Sequence, residues 1–124
     1  MRWKEIDNIT HFGEILERSR SKPALIFKHR SRSIESSDVK NKLESEWIFD
    51  DKQLDAFLVD ESTNREVSEQ VTEAAGVEEE YPQVLLFADG VTMYDESHEL
   101  ISIKKIKIAL KIINRTFKWM ETRV

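Results

Sequence analysis

There is no cysteine among the 124 residues. Disulfides are therefore impossible, and no thiolate of this chain can attack sulfur or hold a metal. Long apolar runs are missing too. Val84 to Ala88, and Ile112 and Ile113 with their neighbours, fall far short of the ~20 residues that span a bilayer. No charged n-region followed by an apolar h-region opens the chain, which reads as soluble, intracellular and, by default, cytoplasmic. Internal repeats, low-complexity segments and long linkers are also absent. Residues 1–124 are thus expected to form one domain, able to bury roughly two thirds of its unfolded surface in a single core.

Charge is plentiful but unevenly placed. The net charge is −5, from 19 basic and 24 acidic side chains. Acids dominate Asp60 to Glu80, whereas Lys104, Lys105, Lys107, Lys111, Arg115, Lys118 and Arg123 face only Glu121 at the C-terminal end. Both blocks read as solvated helix faces. Overall acidity opposes a phosphate backbone, and no aromatics are interleaved as stacking platforms, so a nucleic-acid partner is not expected. His11, His29 and His98 are far apart, and Glu78 to Glu80 lack calcium-loop spacing, so neither a metal nor another cofactor is expected. A hydrolytic serine is disfavoured in the same way, since no Gly-x-Ser-x-Gly elbow is present.

The apolar pattern gives the elements. Ile9, Phe12, Ile15 and Leu16 repeat at helical spacing behind Asp7, Asn8 and Thr10, any of which can cap; this helix should end near Ser21, before Pro23. Ala24 to Lys28 is a short continuous apolar run, hence a buried strand. Ile34, Val39, Leu43 and Trp47 then mark one stripe of a second helix, with Ser33 or a neighbour as its cap. Leu54 to Val59 is a second strand, and Asn64 opens a third helix that should bury Val67, Val71 and Ala74 and leave through Gly76. Gln83 to Ala88 and Val91 to Tyr94 flank Asp89-Gly90, a strong two-residue hairpin signal. Ser102 caps a last helix, about 102–120, with Ile103, Ile106, Leu110, Ile113, Phe117 and Met120 on one face.

The order α-β-α-β-α-β-β-α is that of the thioredoxin fold: α/β, with a central four-stranded mixed sheet flanked by helices. In that fold the second helix starts where the first strand ends. Its free N–H groups and positive dipole end point at Arg30 to Ser33 and favour an anion. Thioredoxin-like proteins place a cysteine thiolate there, opposite a cis proline, and Pro82 in "EYPQVLLF" sits where that proline belongs. Trp3, Trp47 and Trp119 read as core or edge packing, Trp119 being a candidate dimer contact.

Three ordered segments over roughly residues 5 to 112 resemble the monothiol bacilliredoxins, the bacillithiol-system redox-active or general stress proteins. "FKHRSRSIESS" is similar to the family's Lys-His-Ser segment running into Thr-Cys-Pro-Ile-Ser. "FLVDESTNREVSEQVTEAAGV" resembles its strand and helix with an Asn-Arg-x-Val-Ser run. "EEEYPQVLLFADGVTMYDESH" resembles its Glu-Ser-Pro-Gln segment, hairpin glycine and terminal Ser-His. Lys28, His29, Pro82, Gln83, Ser97 and His98 match. The family's nucleophilic cysteine, however, falls on Ser33, its proline on Ile34, its isoleucine on Glu35 and its serine on Ser36, and Tyr81 replaces a small residue and narrows the groove.

The resemblance implies a thiol-disulfide oxidoreductase ancestry and, with Ser33 in the catalytic position, a chain that has lost the exchange reaction. A serine hydroxyl keeps its proton without a base and forms no stable mixed disulfide. What remains is a binding or regulatory module. Its implied groove residues are His29, Arg30, Ser31, Arg32, Ser36, Tyr81, Pro82, Gln83 and His98, and the expected partner is a protein or a small thiol-derived anion held between Ser33 and Pro82. No membrane partner is expected, and the chain should be a monomer or weak homodimer. A second reading is a Cys-to-Ser form of an active oxidoreductase. Ile34 and Glu35 weigh against it, because a single substitution would not alter the neighbours.

Overall fold

Each central strand divides its side chains between two faces, and this alternation builds the layers. The structure, a computed structural model, describes residues 1–116. In order, these form β1 (Lys4–Glu5), α1 (Ile9–Arg18), β2 (Ala24–His29), α2 (Ile34–Glu46), β3 (Asp55–Asp60), α3 (Arg65–Ala75), β4 (Gln83–Ala88), β5 (Val91–Ser97), a 3-10 turn (His98–Leu100) and α4 (Ile103–Thr116). Leu25 and Phe27 of β2 and Leu86 of β4 pack with Leu43 of α2 and Ile106, Leu110 and Ile113 of α4. Ile26, Phe57 and Phe87, on the opposite face, pack with Phe12 and Ile15 of α1 and with Val67 and Val71 of α3. Period-two burial on both faces is what continuous apolar strands provide when helices cover a sheet on each side.

The sheet has five strands in the order β1-β3-β2-β4-β5 rather than the four expected. The added strand, β1, pairs parallel with β3 through Lys4 opposite Phe57 and Glu5 opposite Leu58. Both its residues are exposed, so no apolar pattern marks it; Trp3, stacked on Phe27 at 5.5 Å, anchors it instead. β2 and β3 are parallel neighbours, with Phe27 opposite Leu58. β4 runs antiparallel to β2, pairing Gln83 with Lys28, and β5 closes the other edge against β4. Asp89 and Gly90, at φ 53° and 78°, make the turn between them, the left-handed pair such hairpins require.

The helix ends refine the expected boundaries. Asn8 caps α1 by accepting His11 N–H at 2.8 Å. That helix stops at Arg18 instead of Ser21, because Ser19 turns to the hairpin: its carbonyl accepts Asp89 N–H at 2.8 Å and its Oγ accepts Gly90 N–H at 2.8 Å. Ser33 caps α2. Asn64 occupies the N-cap position of α3 but makes no side-chain cap there; its amide donates to the Asp7 carbonyl at 2.8 Å. Gly76 ends α3 at φ 69° as expected. Two stripe residues are corrected. Ala74 is exposed, and Ile34, in the first turn of α2, is 81% exposed. Phe117, Trp119 and Met120 lie outside the described residues. Among the described residues, no helix is long and apolar enough to cross a membrane.

Candidate functional site

The end of β2 supplies a floor of buried polar groups. Lys28 is fully buried; its Nζ donates to Gln83 Oε1 at 2.9 Å and lies 4.6 Å from the centre of the Tyr81 ring. Burial pushes this ammonium down to about 8, against the pull of Glu79 and Glu80. The antiparallel register that faces Lys28 with Gln83 is what brings the two side chains together. One residue on, His29 is stacked on Phe27 and bonds Ser36 Oγ through Nδ1 at 2.7 Å. Burial also holds this imidazole below its ordinary value, with Asp60 opposing. Ser36 Oγ also accepts Arg30 N–H at 3.0 Å.

The start of α2 stands on this floor. Ser33 Oγ accepts Ser36 N–H at 3.2 Å, and Ser33 N–H donates to the Arg30 carbonyl at 2.9 Å. The intervening loop is laced to the turn after β3. Ser31 N–H donates to Asp60 Oδ1 at 3.0 Å, and Arg32 N–H to Ser62 Oγ at 3.2 Å. Asp60 is held below the ordinary carboxylate range: burial works against this, and the N–H groups of Ser31 and Ser62 outweigh it.

On the other side lies the segment before β4. The Tyr81–Pro82 peptide is cis. The Tyr81 hydroxyl bonds Ser68 of α3, and Arg30 Cζ lies 4.5 Å from the ring centre, so the Tyr81 ring carries cation–π contacts with both Lys28 and Arg30. Gln83 Nε2 reaches the Glu78 carbonyl at 3.1 Å and Ser97 Oγ at 3.3 Å. His98, at φ 58°, donates its N–H to the Pro82 carbonyl at 3.0 Å. Its ring joins Glu80 Oε2 through Nε2 at 2.7 Å and Glu35 Oε2 through Nδ1 at 3.1 Å. Glu80 first, and Glu35 with it, raise this imidazole above its usual value. His98 thereby clasps the first turn of α2 to the Pro82 segment.

The residues singled out from the sequence surround the start of α2 on three sides. Tyr81, Pro82, Gln83 and His98 form the wall at the β4 side. His29 and Ser31 open into a cleft of about 370 Å³ beside Trp3, Lys40 and Asp60. Arg30 and Arg32 open into another of about 360 Å³, with Glu61, Ser62 and Arg65. Among the described residues, His29 bonds Ser36 and His98 bonds two glutamates, so neither histidine is set as a base for Ser33. No cluster of three potential metal ligands occurs among the described residues. Sequence reasoning missed Glu35 and Glu80 as partners of His98, and Ser68 as partner of Tyr81. The signal for Ser68 was its position three residues before Val71, which puts it beside the buried stripe of α3.

The class of protein is defined by this architecture: a parallel β2–β3 pair, an antiparallel β4–β5 hairpin, and a helix start facing a cis proline make a thioredoxin fold. Solved structures share it at low identity. One protein with a thioredoxin fold has a TM-score of 0.71 at 18% identity, covering 86% of this chain and 91% of its own. Thioredoxin from Malassezia sympodialis gives 0.67 at 14%, with 89% of each chain covered. Fasciola hepatica thioredoxin gives 0.65 at 12%, over 87% of this chain and 96% of its own. No curated protein matches the chain. The family is narrower than the fold: the model of the monothiol bacilliredoxin BrxC matches residues 4–106, and the chain belongs to that family.

Proposed function

We propose that this bacilliredoxin-family protein has exchanged thiol chemistry for binding, and that the groove between Ser33 and Pro82 holds a protein or a thiol-derived anion without cleaving it. The observation that carries this reading is the use of Ser33. At the position where the resemblance puts the family's nucleophilic cysteine, an oxygen caps α2 by accepting Ser36 N–H at 3.2 Å. A thiolate in that place would be stabilised by the helix end and would attack sulfur. The hydroxyl keeps its proton, since no base adjoins it among the described residues. Glu35, the acidic residue in the first turn of α2, further disfavours an anion at position 33, and its own charge is engaged by His98. The three changes at 33, 34 and 35 support divergence over a single Cys-to-Ser replacement.

The test uses the full chain and a protein carrying a bacillithiol mixed disulfide. The wild type is expected to bind this probe and release no thiol, whereas Ser33→Cys binds it, takes the bacillithiol onto the introduced sulfur as a new mixed disulfide and releases the probe protein's own cysteine as a free thiol. Turnover by the wild type overturns the loss of chemistry. Absence of binding by the wild type, with turnover by Ser33→Cys, overturns the binding role.

A further inference from the structure

The cleft of about 360 Å³ holding Arg30 and Arg32 opens outside the C-terminal ends of β2 and β3 and is completed by Glu61, Ser62 and Arg65. These adjacent parallel strands send their connections to opposite faces: α2 packs in one apolar cluster and α3 in the other. That is a topological switch point, the place where open α/β sheets receive ligands. The lining is three guanidinium groups against one carboxylate, a local charge of +2 in a chain of net charge −5.

The arginines are positioned yet not used up. Arg30 pairs with Glu61 through Nε at 2.7 Å, and Arg65 pairs with Glu69 through Nε at 2.9 Å. The two Nη nitrogens of each have no partner among the described residues. Arg32 makes no ion pair among the described residues, and its backbone N–H holds Ser62 Oγ at 3.2 Å. No aliphatic side chain lines the cleft, so an occupant is read by its anionic group and not by an apolar body.

We propose that this cleft binds a phosphate monoester in its dianionic form. Glu61 pairs with Arg30 and Glu69 with Arg65, which leaves Arg32 as a cation without an ion pair among the described residues, and attraction to it grows with the charge of the anion. Guanidinium groups supplied by three separate segments, the end of β2, the loop before α2 and the start of α3, suit a tetrahedral group that offers oxygens in several directions; a planar carboxylate is satisfied by a single fork. Glu61 holds Arg30 in place through Nε at 2.7 Å. The proposal depends on neither Ser33 nor the groove chemistry. Through Arg30, which also touches Tyr81, it gives a groove-bound partner a second, charged point of attachment.

The test titrates inorganic phosphate, then phosphoserine, into the isotope-labelled full chain, with sodium chloride at matched ionic strength as reference. Saturable amide shifts are expected at residues 30–33 and 61–65, with phosphoserine binding at least as well as free phosphate. Affinity for inorganic phosphate should rise several-fold between pH 6 and 8 as its second proton leaves, and that for phosphoserine, whose second pKa is about 6, by about twofold. Arg32→Ala and Arg65→Ala should each weaken binding about tenfold or more while spectra elsewhere stay unchanged. Equal shifts with chloride, a pH-independent affinity, or full binding by the Arg32→Ala/Arg65→Ala double variant overturns the proposal. Phosphate binding by a wild type that does not bind the mixed-disulfide probe leaves the cleft and removes the groove reading. The reverse result removes only the cleft.

Discussion

Lys28 carries an ammonium in a place where water does not reach, and its two partners, an amide oxygen and an aromatic face, compensate only part of the lost hydration. The pH dependence follows from linkage. Below about pH 8 both folded and unfolded chains hold the proton and the burial penalty is in full force. Between about 8 and 10.5 the folded chain has released it and the unfolded chain has not, so stability rises with pH in that window. Lys28→Met should therefore be more stable than the wild type at pH 7, by an amount of order 1–3 kcal/mol, with the gap closing as pH climbs from 8 to 10.5. Urea unfolding at several pH values checks this, and parallel stability profiles for the two proteins would refute it.

His98 works in the opposite sense. Its imidazole is raised above the ordinary 6.5 by Glu80 first and Glu35 with it, so the clasp contributes fully below pH 6.5 and is lost as pH rises through the raised value. All three side chains are a third or more exposed, which limits the contribution to under about 1 kcal/mol. Proton NMR of the imidazole should give a midpoint above 6.5 that falls in Glu80→Gln. His98→Asn, which tolerates the positive φ, should lower stability at pH 5.5 more than at pH 8.5. A midpoint at or below 6.5 would show that the clasp does not form in solution.

Elements are joined by fewer residues than they contain. Asp55, the first residue of β3, is 4% exposed and takes Lys22 at 2.9 Å, Arg18 at 3.2 Å and Lys4 at 3.9 Å. It ties the end of α1 and the strand β1 to the middle of the sheet. The carboxylate is buried while Lys4 and Arg18 reach solvent, so the two sides of the network are not equivalent. Asp55→Ala frees cations that water can receive and should cost about 1–2 kcal/mol. Arg18→Ala/Lys22→Ala strands a buried carboxylate and should cost about 3 kcal/mol or more. Denaturant midpoints of both variants decide it, and a larger loss for Asp55→Ala would contradict this account.

At this scale the sequence was most legible where period and length agreed. The runs Ala24 to Lys28 and Gln83 to Ala88, the Ser33 cap and the Asp89-Gly90 turn each carry a local signal that tertiary structure had no reason to override. β1 carried none, because two exposed residues pair only through contacts made 53 positions away, as in Lys4 with Phe57. Ile34 misled for a different reason. Five residues before Val39 and nine before Leu43, it lies about 140° and about 180° around the helix from them, off the stripe that Leu43 buries, and it is exposed.

For the whole molecule, the order of elements sufficed for the fold, while the site needed strand register and the adjacency of strand ends. Nothing local in "IFKHR" foretells that Lys28 meets Gln83, or that Arg30 and Arg65 share a cleft. Both follow from β2 lying between β3 and β4. Ser33 and Pro82 were readable because each sits in a motif of its own. The arginines were visible as residues and invisible as a constellation.

The docking of the hairpin on Ser19 has a consequence for how the chain comes apart. The tip of a two-residue turn is ordinarily the first place to fray and to admit a protease, yet both amides here are held from a position about 70 residues earlier. The tip cannot open without releasing the end of α1. The first helix and the β4–β5 hairpin therefore belong to one cooperative opening unit, and the solvent-facing corner of the sheet is as durable as the helix that holds it.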